Sequence, residues 1–288
     1  NYIKMKLLLD FVIKESTDDY NKSINIAKKL TGTYDKPVIF HAYWKGNLSL
    51  HHLISITSCY YFNVKDNPNN KIILWVENNV SNKYNTEIQK FAEIKQFNLK
   101  NEISKTILQS VPKIFDNSVR LSNLVRTVLL YKYGGCWFDL DVFFLRSFEP
   151  IFSNYSNEIC LYNWEYQQYP NNAIYISLEP YSEKMLNNIK YIISLGRGWS
   201  FQQALLTYNL PLDILVLPCS WFDPSWVKSH YKINFNEVFK KTDKNITFEH
   251  FFNGAFSYHW HNQWNVKIDE DSPLYQLYKI ILSNLSNI

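Results

Sequence analysis

The stretch "YKYGGCWFDLDVFFL", residues 131–145, sets two carboxylates, Asp139 and Asp141, one residue apart in an otherwise apolar run. Upstream, "VRLSNLVRTVLLYKYGG" (119–135) is the clearest helix. Leu121, Leu124, Val125, Val128 and Leu129 follow the i, i+3, i+4, i+7, i+8 spacing of a core-facing stripe. Asn123 and Arg126 stand three apart and share a side away from the centre of that stripe. Gly134 and Gly135 suit a helix end, where the chain turns left-handed at no Cβ cost. A strand is therefore expected to start at once and to carry both Asp at its C-terminal end. Alternate strand residues face one way, with Cα atoms roughly 6.5 Å apart. Like charges that close in a poorly hydrated place need a cation or protons between them, and a hard divalent ion is the simplest answer.

Outward from this stretch, helical and strand patterns alternate. "KPVIFHAYW" (36–44), "KIILWVENN" (71–79) and "IKQFNL" (94–99) read as strands. "SLHHLISITSCYYF" (49–62) and "NTEIQKFAE" (85–93) read as helices between them. Beyond residue 145, "EICLYNWE" (158–165), "NNAIYISLE" (171–179) and "DILVLP" (213–218) read as strands. "SEKMLNNIKYIISLG" (182–196), "WSFQQALLTYNL" (199–210) and "SPLYQLYKIILSNL" (272–285) read as helices, and "GAFSYHWHNQW" (254–264) as a late strand or loop. The expected class is α/β with a mostly parallel, doubly wound central sheet. Residues 1–35 are expected as a helical extension and 36–288 as the domain proper.

Composition excludes several functions. The chain is 46 % hydrophobic and 17 % aromatic, which supports a large core. Seven Gly and the lack of G-x-G-x-x-G or G-x-x-x-x-G-K argue against a Gly-rich phosphate loop. A net charge of +4, with Lys scattered among Asn, Asp and Glu, argues against nucleic acid as a partner. Cys59, Cys136, Cys160 and Cys219 show no C-x-x-C spacing; Cys136 and Cys160 lie in apolar runs and read as buried thiols, which favours a cytoplasmic over a secretory setting. No apolar run reaches the length of a membrane span, and "NYIKMKLLLDFVIKES" (1–16) is too charged for a signal peptide.

Other chemistry fits the Asp pair less well. A haloacid-dehalogenase-like phosphatase also ends a strand in D-x-D, and "DED" (269–271) imitates its late acidic pair. That strand normally comes first in the fold, however, whereas this one lies mid-chain. As a glycosidase pair, the two carboxylates are too close to admit an inverting water.

"RLSNLVRTVLLYKYGGCWFDLDVFFL" (120–145) resembles the DXD-containing sugar-binding region of retaining glycosyltransferases. That family includes yeast-type α-1,6-mannosyltransferases, α-1,4-galactosyl- and N-acetylglucosaminyltransferases and, more distantly, clostridial glucosylating toxins. "KPVIFHAYWKGN", "NNAIYISLEPYSEKMLNNI", "LVLPCSWFDPSW" and "YHWHNQW" resemble further family segments in order, so the likeness spans about residues 36–265.

The resemblance implies a GT-A nucleotide-sugar-binding fold and a metal-dependent, retaining transferase. It would move a sugar from a UDP-sugar, or alternatively a GDP-sugar, to a hydroxyl acceptor such as a glycan. It assigns Asp139, Asp141 and Arg126 to catalysis. Trp44, Asn123, Arg126, Asp139, Asn172 and Trp260 are assigned to the donor and its surroundings, with Trp44 on the base and Asn172 towards the acceptor. Asp139, Asp141, His259 and His261 are assigned to Mn²⁺ or Mg²⁺; His nitrogens with carboxylates suit Mn²⁺. Glu165, Glu179 and Gln202 are candidates for the far wall. Asn123 replaces the family's usual Asp, which keeps open a non-catalytic nucleotide-sugar binder.

Overall fold

The structure is a computed structural model that describes residues 17–77, 82–110, 118–164, 170–194, 212–227 and 235–286. Seven strands form the central sheet in the order β3-β2-β1-β4-β7-β6-β8. They are β1 (Ile39–Trp44), β2 (Lys71–Val76), β3 (Glu93–Gln96), β4 (Gly135–Phe138), β6 (Cys160–Tyr162), β7 (Asn171–Ser177) and β8 (Leu215–Leu217). β1, β2, β3 and β4 run parallel, as do β6 and β8. β7 alone runs against its neighbours β4 and β6. A separate two-stranded sheet pairs β5 (Val142–Phe144) with β9 (Ser257–His259).

Both faces of the large sheet are covered, so its strands are apolar on both sides. Phe40, Ala42, Ile72, Leu74, Cys136, Phe138 and Ile176 point to one face. There they meet the helices Thr17–Lys29, Leu50–Asn63 and Pro273–Ser286. Ile73, Trp75, Trp137, Leu161 and Tyr175 point to the other, against Ser118–Tyr133 and Glu183–Ser194. Each large side chain removed from water in this way contributes about 1.5–3 kcal/mol. Tyr20, Ile24 and Ala27 of the Thr17–Lys29 helix lie in the same core as the sheet.

The Ser118–Tyr133 helix buries Leu124, Val125, Val128 and Leu129, the expected stripe. It ends where the Gly134 N–H donates to the Leu130 carbonyl at 2.9 Å, with φ +63° at Gly134. Gly135 follows at φ +107°, outside the left-handed well that other residues tolerate, and a Cβ there would overlap the Ile39 carbonyl oxygen. The two glycines thus let the helix reverse directly into a strand lying against β1.

The helix expected over 199–210 lies outside the described residues. The one expected over 85–93 runs instead from Lys83 to Ile88, because Asn82 caps it and β3 begins at Glu93. No helix among the described residues is long and apolar enough to cross a membrane.

β2 and β3 extend to one side of β1, and β4 lies on the other. The carboxyl ends of β1 and β4 therefore flank the point where strand order reverses, the place where open α/β sheets bind ligands. Trp44 ends β1, and Asp139 follows β4.

Candidate active site

The two Asp do not sit on a strand. β4 stops at Phe138, the Asp139 N–H donates to the Ala173 carbonyl at 2.8 Å, and the Val142 N–H closes back on the Asp139 carbonyl at 3.0 Å. Asp139, Leu140 and Asp141 form a tight turn between β4 and β5. The strand expectation fails because β4 and β5 are both fully buried, so the apolar run continues although the chain has changed sheets. Each carboxylate consequently meets its own set of partners.

Asp139 Oδ1 accepts from Trp137 Nε1 at 2.8 Å and pairs with Arg126 Nη2 at 3.1 Å. Arg126 is itself clamped: Nη1 donates to the carbonyl and to Oδ1 of Asn172 at 2.5 and 2.6 Å, and Nη2 donates to Ser122 Oγ at 3.0 Å. Its guanidinium lies 5.0 Å from the centre of the Trp137 ring. Asn172 Nδ2 donates to Asn123 Oδ1 at 3.1 Å. Asn123, Arg126, Asn172 and Asp139 are thus one connected chain, because helix spacing puts the first pair on one side and β7 runs beside β4. Burial pushes the Arg126 pKa down, opposed by Asp139 and Asp141, and pushes that of Asp139 up, opposed by Arg126.

Asp141 faces the C-terminal segment. The antiparallel pairing of Val142 with His259 and a bond from the Trp260 N–H to the Asp141 carbonyl at 3.0 Å fix the spacing. Asp141 Oδ2 lies 3.1 Å from His259 Nε2 and accepts from the Asn262 N–H at 2.6 Å. His261 and Asn262 both adopt left-handed backbone, at φ +52° and +72°, which turns the loop back onto Asp141. Such strain costs about 1–2 kcal/mol per residue. Burial alone would raise the Asp141 carboxyl, but His259 holds it at about 2. Burial alone would lower His259, but Asp141 and then Asp223 lift it to about 10.

Asp223 is the residue that sequence reasoning missed. It stands alone in "CSWFDPSW", and only its wholly buried position gives it away. Its Oδ2 lies 2.8 Å from His261 Nε2 and 3.7 Å from His259 Nδ1. Tyr162 Oη lies 2.9 Å from the same Nδ1. Asp223, His259 and His261 offer one ligand atom each, all within 4.8 Å of one another. Burial and the neighbouring His259 push the His261 pKa down.

Trp44 is half-buried; its ring packs 4.2 Å from His52 and 4.8 Å from Trp264, and its Nε1 donates to the Asn47 carbonyl. The Trp260 side chain is wholly buried against Phe239 and His51, so it serves the site through its backbone N–H. Glu179 is exposed, and Glu165 and Gln202 lie outside the described residues. Of the late acidic pair that would suit a phosphatase, Asp271 faces Lys241 at 3.8 Å, and the Asp269 N–H donates to the Phe239 carbonyl.

Residues 56–158 match the family described as glycosyltransferase sugar-binding region containing DXD motif. No curated protein matches the chain in sequence. Among solved structures, the apo form of the bifunctional glycosyltransferase WbbM is 13 % identical with a TM-score of 0.51, over 90 % of this chain and 51 % of that one. The glycosyltransferase GlyE of Streptococcus pneumoniae TIGR4 is 11 % identical with a TM-score of 0.48, over 88 % and 64 %. The PaToxG glycosyltransferase is 17 % identical with a TM-score of 0.43, over 76 % and 78 %. The chain thus spans about half the length of the WbbM chain, and at this identity the likeness speaks for the fold, a GT-A arrangement, alone. The matched span, residues 56–158, holds Asn123, Arg126, Asp139 and Asp141, and over that span the chain is similar to the DXD-containing glycosyltransferases.

Proposed function

We propose that the protein transfers a sugar from a nucleotide-diphosphate donor to a hydroxyl group of an acceptor, with a divalent cation, Mn²⁺ or Mg²⁺, at the D-x-D turn. The observation that carries this is the turn itself: two carboxylates beside the strand-order reversal, each fixed by its own network. The donor set suits such an ion. Asp141 is a buried carboxylate already facing a cationic partner, and the Asp139 side chain keeps 28 % of its surface exposed. Asp139 and Asp141 would hold the ion, which when bound offsets the charge developing on the leaving diphosphate.

The remaining roles belong to the protein's own side chains. Arg126, clamped by Asn172 and Ser122, holds Asp139 in place and sets a fixed positive charge beside the donor. The amides of Asn123 and Asn172 carry the donors and acceptors that sugar hydroxyls need. Trp44, at the rim of β1, stacks on the base. A uridine donor, retention at the anomeric carbon and a glycan acceptor follow the family resemblance.

The test is a panel of UDP- and GDP-sugars with Mn²⁺, with chelator, and with the Asp141→Ala variant. Transfer or donor hydrolysis should need Mn²⁺ and fall at least about 100-fold in the variant, roughly 2.7 kcal/mol of barrier. Activity undiminished by both treatments removes the ion from the reaction. A donor that stabilises the protein without turnover by any acceptor or water would support the non-catalytic binder, with Asn123 as its cause.

A further inference from the structure

We propose that Tyr162 and Asp223 are positioning residues for His259: they hold its Nδ1 side, so that Nε2 joins Asp141 on the ion at the D-x-D turn. The inference rests on the reading above, which places a divalent cation at that turn, and adds what aims a third ligand at it.

His259 stands between two sets of partners. Nε2 lies 3.1 Å from Asp141 Oδ2, whereas Nδ1 lies 2.9 Å from Tyr162 Oη and 3.7 Å from Asp223 Oδ2. Ligand atoms held about 2.0–2.2 Å from one ion stand roughly 3–3.5 Å apart. Asp141 Oδ2 and His259 Nε2 are therefore already spaced as two ligands of one ion, and the pairing of Val142 with His259 sets that spacing.

An imidazole can offer an ion only a nitrogen that carries no proton, and the group facing the other nitrogen decides which one that is. On the Nδ1 side a hydroxyl oxygen can accept a hydrogen bond, and a carboxylate stands just behind it. Both favour a proton on Nδ1, which leaves the Nε2 lone pair to the ion.

The place of Asp223 fits this task. Its side chain is wholly buried, and among the described residues its charged partners are His259 and His261 alone. A carboxylate is kept out of water only where something pairs with it. His261 turns Nε2 to Asp223 at 2.8 Å and stacks its ring on that of His259 at 4.0 Å. It thus braces His259 from the side, and the ion is left to Asp139, Asp141 and His259.

Both positioning residues are anchored in the core. Tyr162 ends β6, between β7 and β8. The Asp223 N–H donates to the Cys219 carbonyl at 2.8 Å, at the end of the Cys219–Phe222 helix. Ser23 and Ser220 join that helix to Thr17–Lys29 through their hydroxyls at 2.7 Å, and Trp221 Nε1 donates to the Ser23 carbonyl at 3.0 Å. The angle of the His259 ring is thereby set by parts of the chain that lie outside the turn.

The test titrates Mn²⁺ alone into the chelator-stripped full chain and reads the electron paramagnetic resonance of the free ion. Wild type should bind one ion, which Asp141→Ala should lose; a wild type that binds none removes the ion from the turn and this inference with it. Asp223→Asn and Tyr162→Phe should each bind about 10–100-fold more weakly. In a His259→Ala background the same substitutions should change affinity by less than about 3-fold, because they act through the ring that is gone. Unchanged affinity in either variant, or an equal loss with and without His259, overturns the proposal while the ion at the turn stands. Should Asp223→Asn fail to fold, histidine-labelled ¹⁵N NMR of the metal-free wild type decides. A proton on Nδ1 of His259, which exchanges faster with water in Tyr162→Phe, supports the proposal, and a bare Nδ1 overturns it.

Discussion

Replacing Arg126 by Met keeps the length of the side chain and removes its charge and all its donors. Asp139 then loses its 3.1 Å ion pair, and the Asn172 carbonyl and amide oxygens lose the Nη1 donor they share. Removing one partner of a buried pair costs about 3–5 kcal/mol, because the other charge stays behind. For 288 residues the entropy of unfolding is on the order of 0.6 kcal/mol/K, so Tm should fall by roughly 5–8 °C. Much of that loss is the stranded carboxylate. Arg126→Met/Asp139→Asn should therefore be more stable than the sum of its single variants, with a coupling of about 1–3 kcal/mol. Urea unfolding of the four proteins, at fixed pH and without metal, measures this. Additivity within about 0.5 kcal/mol would refute the account of Arg126 as the counter-charge that makes Asp139 tolerable.

Trp44→Ala should weaken donor binding by about 1–3 kcal/mol, the worth of one stacked base, while the melting curve of the free protein keeps its cooperative shape; unchanged affinity assigns the ring to packing alone. His41 is buried with Nε2 on the Gly134 carbonyl and Nδ1 on Trp75 Nε1, and burial lowers it to about 4. Its pKa is depressed on folding, so stability is present above about 6.5 and is lost as pH falls towards 4; between pH 7 and 5 the loss is about 2 kcal/mol. Denaturation of His41→Asn at the two pH values should show a correspondingly smaller drop. Gly135→Ala should cost about 3 kcal/mol or more, since φ +107° is strained for alanine and its Cβ meets the Ile39 carbonyl; a Tm within 1 °C of wild type would remove the need for glycine there.

How much was legible follows from which signals are local. The Ser118–Tyr133 helix, the glycine reversal and the strands β1, β2, β4 and β7 carry their periods in contiguous residues, and Asn123 with Arg126 follows from helix spacing alone. The turn at Asp139–Asp141 was hidden because a strand that leaves one sheet for another stays apolar throughout. The reversed direction of β7 depends on which neighbour it joins, which no local pattern encodes. Asp223 was hidden for the same kind of reason: its partners, His259 and His261, meet it only in the folded chain. Trp260 shows the converse, a side chain whose type suggested ligand contact but whose place directly after β9 turns it into the core.

The small β5–β9 sheet has a consequence for the order in which the molecule matures. Asn262 meets Asp141 across 121 residues of chain, and that meeting depends on backbone rungs between residues 142–144 and 257–259. All seven strands of the large sheet precede residue 218, so a ribosome could release them for folding while Asp141 still lacks its histidine. The surroundings of Asp141 are complete only once residues 257–262 have arrived to pair with β5.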